Sequence, residues 1–255
     1  MSQARTILAT LLLCMCVPIT AWAMQTASLH VSFTPMQLGH DTSVALDVKV
    51  TASAGHIPSP LTTIEVHYPS NLGLAVSELG LETCSPARLE AAGPTACPAN
   101  SRMGRGSARA EIAIGPRIIQ ETAAITILRA PEQNGHFALL FYAEAENPIS
   151  AKLLLPGLLL RGPAAREETI RIDLPLIHGL PGGPDVAITQ LHATFGPRGL
   201  VYHERIGGKL VTYQPRGILL PSRCPREGFD FGATFTGLDG SHTSAHATIP
   251  CSPFR

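Results

Sequence analysis

Val44-Ala45-Leu46-Asp47-Val48-Lys49-Val50 places an aliphatic residue at every second position and a small or charged one between. A β-strand turns successive side chains to opposite faces. This period of two therefore buries Val44, Leu46, Val48 and Val50 and wets Asp47 and Lys49. The same alternation recurs outward in both directions. Leu29, Val31 and Phe33 share one face of a preceding strand, and Ile64, Val66 and Tyr68 repeat the pattern before Pro69. Further β-like runs follow at 108–114, 118–129, 136–145, 150–160, 169–174, 185–195, 200–205, 209–213, 229–236 and 242–249.

Turn formers punctuate these runs: Asn134-Gly135, Gly182-Gly183-Pro184, Gly207-Gly208 and Asp239-Gly240. Asn-Gly and Asp-Gly between alternating runs favour tight hairpins, because type I′ turns need positive φ at both central residues. The one helical signal is a turn or two over 86–92. Many short strands with regular punctuation predict an all-β, antiparallel β-sandwich, Ig-like in general architecture, or two packed β lobes. Gly, Pro and charge interrupt the pattern at 162–168, where a seam between lobes would fall.

Residues 1–23 read as a cleaved export signal. Arg5 supplies the positive start, Ile7 to Val17 is an apolar run, and Ala21-Trp22-Ala23 is a small-x-small cleavage site. Eleven apolar residues fall far short of the ~20 that span a bilayer. Residues 24–255 then form the mature chain, secreted or otherwise extracytoplasmic. Of six cysteines, Cys14 and Cys16 leave with the leader, and Leu13 and Met15 before them do not fit a lipobox. Cys84, Cys97, Cys224 and Cys251 remain, and four cysteines allow three connectivities. Local pairing, Cys84 with Cys97 and Cys224 with Cys251, is favoured because each closes a short segment with turn signals inside it. Neither Cys-x2-Cys knuckles nor histidines at ligand spacing accompany them, so no metal is expected.

The whole chain carries 19 basic and 19 acidic residues, and Arg5 is the only charge in the leader. So balanced a chain has no electrostatic reason to bind nucleic acid. Only Lys49, Lys152 and Lys209 are lysine, an arginine bias that suggests a GC-rich bacterial genome. Leu153-Leu154-Leu155-Pro156-Gly157-Leu158-Leu159-Leu160 looks membrane-active, but eight residues split by Pro-Gly cannot span a bilayer. A buried strand-turn-strand, or an apolar face under a loop, is expected instead. An outer-membrane barrel needs aromatic girdles, and the sole tryptophan, Trp22, lies in the leader. No transmembrane segment is expected in the mature chain. The last residues, Cys251-Ser252-Pro253-Phe254-Arg255, carry no hydrophobic tail or sorting motif, so no covalent anchor is expected.

Catalytic motifs are missing. Gly208-Lys209 continues into leucine where a P-loop needs Ser or Thr, Gly104-Arg105-Gly106 lacks the third glycine of a dinucleotide loop, and no Gly-x-Ser-x-Gly elbow occurs. Asp239-Gly240-Ser241-His242 contains all three triad residue types, but neighbours on a strand diverge, and Asp-Gly between alternating runs is a hairpin tip. His242 and His246 stand about 13 Å apart on a strand, too far to share a metal. Glu144 and Glu146 are two apart, a spacing read as a solvated strand edge rather than a glycosidase pair. The best candidate patch for an anionic partner is Arg102, Arg105 and Arg109 around Gly104 and Gly106.

Two cysteine regions carry a resemblance. One is Thr83-Cys84-Ser85-Pro86 with Cys97-Pro98-Ala99-Asn100-Ser101-Arg102-Met103-Gly104; the other is Cys224-Pro225 with Phe229, Asp239-Gly240-Ser241 and Pro250-Cys251. Together they resemble an uncharacterised family of secreted bacterial β-rich proteins with a Thr-Cys … Cys-Pro-x-x-Ser-x-aliphatic-Gly motif. The resemblance implies export and β architecture and transfers no functional residue.

These readings converge on an exported, disulfide-stapled, non-catalytic structural or interaction protein. Its partner would be a cell-envelope component or another protein, and it would need no cofactor. The rival is a secreted hydrolase on a β scaffold, which would require Ser, His, Asp or Glu from distant segments to converge in one pocket. A carbohydrate-binding platform is hard to build from a mature chain without tryptophan.

Overall fold

The computed structural model describes residues 25–53, 56–146, 150–162, 164, 167–177 and 185–251. The leader, Gly182-Gly183-Pro184 and the last four residues lie outside them. The strands are β1 (Thr26–Thr34), β2 (Asp41–Thr51), β3 (Leu61–Pro69), β4 (Arg102–Ile114), β5 (Arg117–Gln133), β6 (His136–Ala145) and β7 (Ala151–Arg161). They continue as β8 (Glu167–Asp173), β9 (Ala187–Phe195), β10 (Tyr202–Ile206), β11 (Lys209–Tyr213), β12 (Ile218–Leu219), β13 (Phe229–Gly237) and β14 (His242–Ile249). Among the described residues the α-helix is α1 (Pro86–Ala92), where the helical turn was expected.

The chain is all-β and antiparallel, but two facing sheets of an Ig-like sandwich do not form. One sheet runs β1-β2-β9-β4-β5-β6-β7-β8-β3-β13-β14, with β12 added to β2, and its edges β1 and β14 curl round to lie alongside each other. The result is nearly a barrel. No backbone ladder joins β1 to β14; side chains close the seam instead. Phe33 of β1 packs on Phe229 and Phe231 of β13, with ring centroids 5.2 and 6.0 Å apart. Strands β7 and β8 pair with each other from Arg161↔Glu168 onward; of the possible seam at 162–168, residues 163, 165 and 166 lie outside the described residues.

Inward-facing positions of the strands of this sheet meet in one core, which includes Val44, Leu46, Val48, Ile64, Val66, Ile127, Phe141, Ile170, Phe195 and Phe235; β10 and β11 pair apart from it. A second apolar cluster sits on the outside of β5–β7. There Leu89 of α1, Cys84 and Cys97 cover Leu128, Ala138, Leu140 and Tyr142, with Leu154 and Leu158 beside them. Helix α1 starts where Ser85 Oγ accepts from Arg88 N at 3.4 Å and Pro86 occupies the first turn. Cys84 and Cys97 lie at disulfide distance, Cα atoms 5.4 Å apart, and so hold this cover in place. Cys224 and Cys251 are likewise joined, with Cα atoms 6.0 Å apart, and tie the end of β14 to the segment before β13.

The run 153–160 is therefore explained by burial on both faces, and it contains no turn. Strand β7 passes straight through Pro156 and Gly157, with Pro156 facing out and Gly157 facing the core. Glycine is required there by close approach. A Cβ at 157 would lie 2.7 Å from Phe141 Cε2, so the Phe141 ring packs in the space that a side chain would fill.

Candidate functional site

Strands β4 to β7 form the wall of a cavity inside the sheet. Their inward positions alternate at period two as the pleat demands, and six of them are alanine: Ala108 and Ala110 on β4, Ala123 on β5, Ala143 and Ala145 on β6, and Ala151 on β7, with Ile112, Ile125, Phe141, Leu153 and Leu155 on the same strands. Opposite them, Ile64, Ile172, Leu174, Ile177, Val186, Ile188 and Leu191 complete the lining. The short side chains leave about 140 Å³ unfilled. That is close to the roughly 150 Å³ of an engineered apolar cavity that stays dry and takes up benzene or xenon. Among the lining residues only Glu121 is ionisable. It is buried at the cavity's end and its Oε1 accepts from Thr122 N at 3.2 Å.

Two smaller spaces continue the cavity along the inside of the sheet. The first, about 70 Å³, shares Ile64, Ile125, Phe141, Ile172 and Leu191 with it. The second, about 30 Å³, shares Leu46, Val66, Ile170 and Phe195 with the first and ends among Tyr68, Leu72, Leu74 and Phe231. Phe141 lines both of the first two spaces and Phe195 both of the last two. Their rings meet edge to face, centroids 6.5 Å apart. Burial and a hydrogen bond to Glu168 Oε2 at 2.7 Å push the Tyr68 hydroxyl far above its ordinary pKa, so this end offers no ionising group from tyrosine.

A larger recess of about 620 Å³ lies on the outer face of β8, β3, β13 and β14, lined by His67, Ser70, Asn71, Glu167, Asp230 and His246 among others. Against His67 Nδ1 lie Thr169 Oγ1 at 2.8 Å and Glu167 Oε1 at 3.0 Å; against its Nε2 lies Thr234 Oγ1 at 3.5 Å. Polar groups from strands distant in sequence do converge here. They are cross-strand neighbours on one wet sheet face, and 3.5 Å is at the limit of a hydrogen bond.

No family model, curated protein or solved structure matches the chain.

The sequence-predicted candidates scatter. Arg102 reaches back to Pro94 O at 3.4 Å, between the paired cysteines. Arg105 is exposed near Gly199, and Arg109 lines a separate 310 Å³ groove with Lys49, His56 and Glu111. Asp239-Gly240-Ser241-His242 is a hairpin tip: Asp239 Oδ1 accepts from Ser241 N at 3.0 Å and Ser241 Oγ at 2.6 Å. These bonds hold the Asp239 carboxyl below the usual carboxylate range. His242 lies instead against Thr236 Oγ1 at 3.3 Å, and both His242 and His246 are exposed on β14. Glu144 pairs with Lys152 at 2.9 Å across β6 and β7, so it sits mid-sheet and not on an edge. Among the described residues no group of three His, Cys, Asp or Glu is placed to hold a metal, and no helix is long and apolar enough to cross a membrane.

Sequence reasoning missed the cavity wall and the His67 recess. The first had a readable signal, since Ala108-Arg109-Ala110-Glu111 and Ala143-Glu144-Ala145 alternate alanine with charge. The second had none, because His67 and Glu167 are 100 positions apart.

Proposed function

We propose that this chain is an exported, non-catalytic binding protein that holds the apolar part of a small amphiphile inside its curled sheet. The observation that carries the reading is the alanine-lined cavity beneath β4–β7. Natural interiors are packed so that voids larger than a water are few. A lining of this kind gives water too few polar partners to stay, so the space is either empty or filled by an apolar group. Export is supported by the leader and by two cysteine pairs at disulfide distance. A polar interior lumen belongs to membrane-spanning barrels; here the apolar residues face in, and Arg105, Arg109, Glu144 and Lys152 face out.

Calorimetric titration of the mature protein with straight-chain 1-alkanols tests this. Binding with negative ΔCp is expected, and Ala143→Phe, which fills the cavity, should abolish it. Absence of binding across the series, or binding that the substitution leaves intact, overturns the reading.

A hydrolase is the second reading, favoured by the Glu167–His67–Thr234 alignment in the outer recess. It requires ester or peptide turnover that His67→Ala removes.

A further inference from the structure

We infer that Phe141, seated over Gly157, is the floor that sets how long an alkyl chain the cavity accepts, so the ligand is a short single-chain amphiphile. The inference rests on the binding reading above and deepens it. Three spaces of about 140, 70 and 30 Å³ lie in sequence, and successive ones share lining residues. They are one channel interrupted by two rings. Phe141 lines both the first and the second space, and Phe195, which lines both the second and the third, meets its ring edge-on at 6.5 Å. The ring keeps its position because β7 has no side chain beneath it: a Cβ at 157 would come within 2.7 Å of Phe141 Cε2 and 3.5 Å of Ile172 Cγ1.

The narrowness of the channel also decides ligand shape. Ile64, Ile125, Ile172 and Leu191 flank the passage on several strands, which suits one extended chain and not a fused-ring or two-chain lipid. Removing the Phe141 ring joins the 70 Å³ space to the main cavity, about half as much room again. Placing a methyl at 157 acts in the opposite sense by driving the ring away from β7 into the channel.

The test is the affinity of 1-alkanols of increasing length for the wild-type mature protein, Phe141→Ala, Phe141→Leu and Gly157→Ala. While a chain still fits, each added methylene should raise affinity about fourfold. Wild type should show a break where the chain reaches Phe141. In Phe141→Ala the fourfold rise should continue for several more carbons; Phe141→Leu, which keeps an apolar side chain in place, should extend it by fewer. Gly157→Ala should shorten it. A cooperative thermal transition identifies which variants are folded, and either Phe141 variant alone is sufficient for the test. A break at the same chain length in wild type and a folded Phe141 variant overturns the floor while leaving the binding reading intact. No binding by wild type at any length overturns the binding reading itself.

Discussion

The seam and the wall of this sheet are built from the same alternating strands, yet one is filled and the other hollow. At the seam, inward positions carry Phe33, Phe229, Phe231 and Phe235, all buried, and the rings close the gap that β1 and β14 leave unladdered. On the wall, Ala108, Ala110, Ala123, Ala143, Ala145 and Ala151 occupy equivalent inward positions. Backbone geometry is common to both, so side-chain volume alone separates a packed core from a site. An aromatic ring buries on the order of 150–250 Å², whereas an alanine leaves its share of the interior unoccupied.

Four experiments break or sharpen this contrast. The largest effect should come at the seam: Phe229→Ala, at a fully buried site, should cost about 3–5 kcal/mol by the known range for aromatic truncation. Chemical denaturation measures it, and a loss below about 1 kcal/mol would show that the rings do not close the sheet. Next is the cover outside the wall. Replacing Cys84 and Cys97 with alanine frees a 13-residue separation and should cost about 3 kcal/mol, and the loss of α1 would expose Leu140 and Leu154. On the wall itself, Ala143→Phe should change stability by only about 1 kcal/mol, because the ring enters existing space rather than a packed core. A loss comparable to that at Phe229 would mean that the wall is as tightly packed as the seam.

The smallest effect belongs to the hairpin tip. Bonds from Ser241 lower the Asp239 pKa, so its contribution is present above the unfolded value of ~3.9 and is lost as pH falls through the folded value. The tip is exposed and solvent screens it, so Asp239→Asn should cost within about 0.5 kcal/mol at pH 7. The difference from wild type should vanish near pH 2. A difference that instead grows on acidification would contradict the assignment.

Local features were legible in the chain. Helix α1 at Pro86–Ala92, β6 at His136–Ala145 and the hairpin at Asn134-Gly135, where φ is +52° and +77°, follow from residues that touch within a few positions. The 153–160 run was legible as buried but not as straight. A Pro-Gly pair normally turns a chain, and only the Phe141 ring, brought beside it by the β6–β7 ladder, accounts for the glycine in mid-strand. The surroundings of the arginines were not legible either: Arg102 reaches Pro94 and Arg109 lines a groove with Lys49 and His56, residues that only the folded chain brings near them.

By itself, the sequence determined that the chain is all-β, where most strands begin and end, which face of each is apolar, and which cysteines lie close enough along the chain to pair. A period of two and a turn dipeptide are written in neighbouring residues. Only the tertiary structure decided that the strands make one sheet curled nearly into a barrel, that alanines from four strands face a common hollow, and that Phe141 lines it. Which strand lies beside β2 or β3, and what volume remains inside, depend on contacts between residues more than 150 positions apart, as between Val44 and Phe195 or Leu61 and Gly237. Alternation marks a face as apolar without stating how much space that face must fill.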